Sequence, residues 1–413
     1  MAKVLVIGSG AREHTIAQTF KRSPQVDEIF VVPGNDGMKS AGISPVTIDT
    51  SDFPALIKFA KEHQVDLTFV GNEAPLVAGI VDAFEAAGLA IFGPNRQAAK
   101  LEGSKAFMKK LLADADIPTA KAETVTSLSA AEKVAEELGY PIVIKTDSLA
   151  AGKGVSIHQN QTAANEFLTK LYQKQPKAKL VIEEYLEGFE FSVFSLVGKD
   201  QVIHTPIAHD YKRRFEADRG PNTGGMGSYS PVANVSKENV KLAIDRLVLP
   251  TLASMKQQNT PFHGVLYTGV MLTKSGPKVI EFNVRFGDPE TQVVLPQLQS
   301  DFYTLIIDLL AVKQTNPKWQ QTDTYLGVVL VNPNYPAANQ KIYEIPSLNK
   351  DILVNYASAK LQGNQLVSDG GRILTTVVHA PMLEFAREKI YTILDNTKMN
   401  LEYRQDIGKL NNN

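Results

Sequence analysis

Glu281, Asn283 and Arg285 recur at every second position of a segment that begins apolar and ends in a polar loop. Side chains alternate between the faces of an extended strand, so these three share a face, and Val279 would open the same row. A carboxylate and an amide oxygen two residues apart are hard donors of the kind magnesium takes while water and substrate phosphates complete its shell. Arg285, one step on, suits a carboxylate or a transferring phosphoryl group. Gly287, Asp288, Pro289 and Glu290 follow at once, a dense polar loop at a strand end, where loops carry function.

A second group centres on Lys145, at the end of an apolar strand, and the small-residue loop Ala151, Gly152, Lys153, Gly154, Val155. Glycines let the backbone close over phosphate oxygens, and ammonium groups neutralise them without a fixed fork. The P-loop spacing is absent, and a lone Gly-Lys-Gly is commonly only a turn. Downstream, Glu183, Glu184, Tyr185 and Leu186 offer hinge backbone for an adenine edge, and Glu190 offers a carboxylate for ribose hydroxyls. Residues 220–227 contain four glycines and no apolar periodicity, which reads as a flexible closure loop. The charged run 209–214 beside it would by itself be a solvated face; its position favours a substrate-facing role. At the N-terminus, Gly8, Ser9 and Gly10 resemble a dinucleotide-binding turn. Glu13 replaces the third glycine, however, and Pro33, Gly34 and Asn35 stand where a ribose-binding acid would be. A plain turn and a phosphate or sugar site remain equal readings, and Arg12 fits either a site or an ordinary surface charge.

These residues need elements to hold them. Residues 3–7, 28–32, 66–70 and 89–92 read as strands with amphipathic stretches between, a parallel α/β unit whose ligands would lie beyond the strand ends. A helix over 104–113 leads to a small lid with strands at 141–146 and 180–184. Residues 190–325 hold strands at 191–197, 201–204, 267–272 and 278–282 and a long amphipathic helix from Ser236, expected to complete a sheet shared with neither neighbour. Strands at 325–331 and 371–379 and a helix from Met382 suggest a closing α+β unit. The expected division is 1–103, a central domain of 104–122 with 190–325, a lid of 123–189, and 326–413. At 413 residues, 43% hydrophobic and 21% charged, the chain is globular and multidomain. A net charge of −1 gives no global attraction for nucleic acid or anionic membrane. The absence of cysteine removes disulfides, thiolate catalysis and zinc–thiolate sites and suits a cytoplasmic setting. A metal must sit on oxygen or imidazole.

The strings VIGSGAREH, PGNDG, EAPL, LEGSKAFMK, LAAGKGV, VIEEYLEGFE, GPNTGGMGSYSP, EFNVRFGDPETQ, GGR and YRQDIG span nearly the whole chain. In them the sequence resembles the ATP-grasp superfamily and, within it, the phosphoribosylamine-glycine ligase family. The resemblance implies an α/β ATP-grasp architecture: an N-terminal parallel α/β domain, a small α+β lid, a central ATP-grasp domain and a C-terminal α+β domain. It implies ATP with Mg2+ or Mn2+, and glycine and 5-phosphoribosylamine as small-molecule partners. It implies a cytoplasmic monomer with room for transient contact with neighbouring pathway enzymes, and no nucleic acid or membrane partner. By the same resemblance Lys105, Lys145 and Ala151 to Val155 would meet ATP phosphates, Glu183, Glu184, Tyr185 and Leu186 the adenine, and Glu190 the ribose. Glu281 and Asn283 would hold the metal, and Arg285 and Asp288 would face glycine and its acyl phosphate. Asp210, Lys212 and Pro221, Asn222, Thr223, Gly224 and Gly225 would lie nearby, while Gly10, Asn35 and Glu73 would bind phosphoribosylamine. Asn72, Ser148 and Tyr356-Ala357-Ser358 depart from the family's usual residues, and the last leaves the closing domain's part in substrate contact open. Three rivals remain: another carboxylate–amine ligase of the superfamily, a nicotinamide-dependent oxidoreductase, and a non-catalytic nucleotide-binding regulator.

Overall fold

Parallel pairing organises the N-terminal residues around one buried strand. In the computed structural model, which describes residues 1–147, 154–337, 341–349 and 351–409, β1 (Ala2–Gly8) lies at the centre of a five-stranded sheet. Its partners are β2 (Val26–Pro33), β3 (Ser44–Pro45), β4 (Leu67–Val70) and β5 (Ile91–Phe92), in the order β3-β2-β1-β4-β5. Val4 to Ile7 are wholly buried, as a strand covered on both faces requires. Helix α1 (Ala11–Lys21) springs directly from the end of β1.

Helix α2 (Lys105–Asp114) begins at Ser104, whose hydroxyl accepts the Phe107 N–H at 3.2 Å. The lid then forms an antiparallel sheet of β6 (Ala122–Val125), β7 (Ile142–Thr146), β8 (Val155–His158) and β9 (Leu180–Glu184), in the order β6-β9-β7-β8. Two helices, Leu128–Leu138 and Gln161–Lys174, cover it, and Ala131, Ile142, Leu168 and Ile182 belong to a core separate from the rest of the molecule.

The next stretch supplies β10 (Phe189–Val197), β11 (Val202–His204), β12 (His209–Asp210), the hairpin β13 (Arg213–Phe215) and β14 (Arg219–Asn222), β15 (Gly227–Ser230), β16 (Gly264–Thr273) and β17 (Gly276–Asn283). The helix capped by Ser236 runs through Lys237–Ala243, a π turn at Ile244–Val248 and Leu249–Gln257. The closing unit contains β18 (Thr324–Val331), β19 (Leu353–Tyr356), the hairpin β20 (Ala359–Gln362) and β21 (Gln365–Ser368), β22 (Arg372–Ala380), and the helix Leu383–Asp395 packed on β18 and β22.

Three expectations need correction. The central stretch does share a sheet: β11-β10-β16-β17 stands alone, but β12 and β15 join the closing unit in the order β12-β15-β18-β22-β19. The reason lies in β18, seven of whose eight residues are buried; such a strand needs a partner on each edge, and β15 and β22 provide them. The glycine-rich segment is no wholly open loop, since β14 and β15 take up half of residues 220–227. Val279 leaves the row of Glu281. The register of β17 on β16 shifts between Gly269↔Glu281 and Val270↔Val279, which leaves Ile280 unmatched and turns Val279 into the core beside Phe282. No helix among the described residues is long and apolar enough to cross a membrane.

Candidate active site

Past that bulge, β17 alternates as expected. Phe282, Val284 and Phe286 are buried, while Glu281, Asn283 and Arg285 face the other way, partly accessible. Burial pushes the Glu281 carboxyl upward, but Lys212, Lys145, Arg285 and Lys105 outweigh it and hold the group below the usual carboxylate range. Four cations from four parts of the chain thus act on one carboxylate. Lys105 stands at the first turn of α2, and burial lowers its pKa against the pull of Glu281.

Lys145 reaches over from β7. Its ammonium lies 3.0 Å from Glu183 Oε2 and donates to the carbonyl of Ile280, the bulged residue, at 3.2 Å. Lys109, from the buried side of α2, lies 3.3 Å from the other Glu183 oxygen; burial lowers its pKa to about 8 against the pull of Glu183. Glu183 therefore joins the lid to the central unit through its ion pair with Lys109. Glu184 accepts from the Lys121 backbone at 3.1 Å and from Lys278 at 3.2 Å, whereas the Tyr185 ring is exposed and Leu186 half-buried beside it. Glu190 is ion-paired with Lys212, so two residues expected to serve different substrates are neighbours. Burial works to lower Lys212, but Glu190 and other acids raise it well above its ordinary value. Gly154 and Val155 lead into β8; Ala151, Gly152 and Lys153 lie outside the described residues.

Asp288 is the meeting point of the remaining segments. Arg372 donates to its Oδ2 at 2.7 Å and to its backbone carbonyl at 3.0 Å, and Gln292 donates to Oδ1 at 2.7 Å. Arg372 also donates to the Gly224 carbonyl. A Cβ at Gly10 would lie 3.7 Å from Asp288 Oδ2, which brings the β1 turn to the same place. Gly225 has a φ of +105°, and a Cβ there would lie 2.9 Å from Asp210 Oδ1 and run into Pro289, so only glycine fits. The segment is pinned: Thr223 Oγ1 donates to the Lys212 carbonyl at 2.9 Å and accepts from Gly225 N at 3.1 Å, and the Gly224 N–H meets the Tyr335 hydroxyl at 2.8 Å. Pro221 and Asn222 belong to the β13–β14 hairpin, with Pro221 exposed; they are not drawn to Asp288.

Two acids sit deep in this region. Burial and the nearby Glu290 carboxylate push Asp210 well above its ordinary range, and its Oδ1 is buried without a hydrogen-bond partner among the described residues. Glu290 is itself raised by burial, although its own backbone N–H, Lys212 and Ser192 act downward. A buried, unsatisfied carboxylate beside another acid is a place for a cationic group.

On the N-terminal side, Glu13 folds back so that its Oε2 accepts the Gly10 N–H at 2.6 Å. A Cβ at Gly8 or Gly71 would overlap this side chain, which explains the glycines at those two positions. Arg12 is buried, pairs with Glu13 at 2.6 Å and donates to the Phe286 carbonyl at 3.1 Å; it is no surface charge. Arg285 lies 3.2 Å from both Glu73 and Glu102. Burial works to raise Glu73, but Arg285 and Arg12 bring it down to about 2. Glu102, more deeply buried, is pushed up to about 7 despite Arg285. The Asn35 amide is committed: Nδ2 donates to the carbonyls of Ser9 at 2.7 Å and Tyr356 at 3.0 Å, and Oδ1 accepts from Gly37 N.

Among the described residues no cluster of three or more His, Asp or Glu could hold a metal. Glu281 and Asn283 instead offer the two-donor set of an ion that takes its other ligands from phosphate and water.

Family models described as the N domain, the ATP-grasp (A) domain and the C domain of phosphoribosylglycinamide synthetase match residues 2–102, 103–291 and 325–410. The chain belongs to the phosphoribosylglycinamide synthetase family. A phosphoribosylamine–glycine ligase of Lactococcus lactis is 46% identical over 98% of this chain and 99% of its own. One of Halalkalibacterium halodurans is 45% identical, covering 98% and 96%. The crystal structure of the Thermotoga maritima phosphoribosylamine–glycine ligase superposes with a TM-score of 0.84 at 29% identity, covering 98% of this chain and 100% of that one. ATP-grasp enzymes use ATP and a divalent metal, and the phosphoribosylglycinamide synthetase family shares that fold. Lys109, Glu102 and Arg372 are residues of this region that the sequence reading does not single out, though each falls within a family-like string, and Glu290 and Arg12 stand in it without a role.

Proposed function

We propose that the chain joins glycine to 5-phosphoribosylamine at the expense of ATP, the second step of de novo purine synthesis. A glycine carboxylate oxygen attacks the γ-phosphorus, the bond to the β-phosphate oxygen breaks, and glycyl phosphate and ADP form. The amine of phosphoribosylamine then attacks the acyl carbon, phosphate leaves with the bonding pair, the amine loses a proton, and glycinamide ribonucleotide results. The observation that carries this reading is that the charges of Lys212, Lys145, Arg285 and Lys105 all act on Glu281. Such a cluster suits the charge of a triphosphate and of a phosphoryl group in transit, where positioning and neutralisation do most of the work.

In this reading Lys105, Lys145 and the 151–155 loop receive the phosphates. The segment Glu183 to Leu186 lines the adenine, and Glu190 faces the ribose. Glu281 and Asn283 hold Mg2+ or Mn2+, which when bound supplies further neutralisation of phosphate charge. Asp210 and Glu290 suit the ammonium of glycine, Arg285 and Asp288 face glycine and its acyl phosphate, and Lys212 and Gly225 lie beside it. Gly10, Asn35 and Glu73 form the phosphoribosylamine side. The division into 1–103, 104–122 with 190–325, 123–189 and 326–413, a monomeric state and a cytoplasmic setting complete the proposal.

Trapping tests the acyl phosphate directly. With ATP, magnesium, glycine and hydroxylamine but no phosphoribosylamine, glycine hydroxamate and ADP should accumulate together; ADP release without hydroxamate would contradict a glycyl phosphate.

A further inference from the structure

Tyr356 ends β19, the edge strand of the closing unit, and leans on the N-terminal sheet. Its ring stacks on His14 of α1, with centroids 5.8 Å apart and planes 16° from parallel. Its N–H donates to His14 Nδ1 at 2.9 Å, and its carbonyl accepts from Asn35 Nδ2 at 3.0 Å. Two further bonds flank it: Thr15 Oγ1 donates to Asn355 Oδ1 at 2.9 Å, and the Leu361 N–H donates to Asp36 Oδ2 at 2.8 Å. Gly37 completes the seat, since a Cβ there would run into the tyrosine ring. His14 takes no part in a pH switch. Burial lowers its pKa to about 3, so Nδ1 keeps its lone pair for the Tyr356 N–H at neutral pH.

Tyr356 grips the turn after β2 directly, at Asn35 and Gly37, and through His14 the helix that follows the turn after β1; those turns are the carboxyl ends of an open parallel sheet, the usual ligand crevice of such sheets. Asn35 binds both turns at once through Ser9 and Gly37. We infer that Tyr356 is a positioning residue for phosphoribosylamine: it acts through His14 and Asn35 to set the spacing of the two turns from the closing unit. The inference rests on the proposed ligase reading. It also separates the substrates, because the partners of Lys145 and Glu183 lie on β7, β9, α2 and β17 and those of Tyr356 on α1 and the turn after β2.

The test is steady-state kinetics of the full chain and of Tyr356→Phe and Tyr356→Ala, varying each substrate in turn, with thermal unfolding as a check on folding. Tyr356→Ala should raise the KM for phosphoribosylamine about tenfold or more, the range that supporting contacts behind a binding group command. Its kcat and its KM for ATP and glycine should stay unchanged, and Tyr356→Phe, which keeps the stacked ring, should restore the parent value. Should Tyr356→Ala not fold, Tyr356→Leu keeps bulk and loses the stack, with the same expectation. An unchanged phosphoribosylamine KM, or an equal rise for all three substrates, would overturn the inference. A parent chain with no phosphoribosylamine-dependent turnover would overturn the ligase reading and this inference with it.

Discussion

Lys145 and Glu183 meet at 3.0 Å with both side chains almost wholly withdrawn from water. One lies on β7 and the other on β9, so the pair bridges neighbouring lid strands, and the lysine continues to the carbonyl of Ile280 on β17. Removing one partner of a buried pair leaves an uncompensated charge and costs about 3–5 kcal/mol. Lys145→Met should fall at the low end of that range, because Lys109 stays within 3.3 Å of Glu183. Urea unfolding without nucleotide measures it; an unchanged midpoint would contradict the pairing.

Glu281 should be needed for turnover and not for folding. Replacing it by Gln removes the charge that four cations face but keeps the side chain's shape, so Glu281→Gln should lower ADP release by about 10²-fold or more while far-UV circular dichroism still shows the parent fold. Activity within a factor of a few of the parent would remove the metal assignment.

Arg372 tests whether the closing unit reaches the chemistry. Its guanidinium serves Asp288 and Gly224 together, a geometry an ammonium cannot copy. Arg372→Lys should keep the charge yet reduce kcat/KM about tenfold or more, the scale of lost supporting contacts around a site. Parent-like kinetics would show that the link only fastens the sheet.

Glu102 should leave a mark on stability against pH. Its folded pKa of about 7 exceeds the ordinary 4.5, so between these values the folded chain holds more protons than the unfolded one. The stability contributed by the protonated form is complete below about pH 4.5 and is lost as pH rises through about 7. Glu73, held down to about 2, stays ionised in the folded chain across this window. Urea midpoints of the parent and Glu102→Gln, without metal or nucleotide, should therefore shift relative to one another from pH 4.5 to 7 and run parallel above it. A constant difference would place the proton elsewhere.

What could be read from the sequence was what is local. The two-residue period put Glu281, Asn283 and Arg285 on one face, and four of the five strands of the N-terminal sheet, the Ser236 helix start and the β18 run follow from patterns a few residues long, while the two-residue edge strand β3 carries no such pattern. The bulge that buries Val279 was not readable, because the register is set by Gly269 on another strand. Lys109 and Lys110 look alike in a helical string, yet the first side chain is 9% exposed and the second 76%, a difference made by what α2 packs against. Arg372 meets Asp288 from 84 positions away, and GGR marked it only as a family-like string. The sharing of β15 with β18 was hidden for the same reason: sheet membership is a tertiary choice.

The most direct measurement is ADP release by the full chain with ATP and magnesium, phosphoribosylamine generated in place, and glycine, alanine, serine, formate or no acid. The ligase reading predicts stoichiometric ADP and glycinamide ribonucleotide only when glycine and phosphoribosylamine are both present. Turnover with formate, or with phosphoribosylamine and no acid, would contradict it.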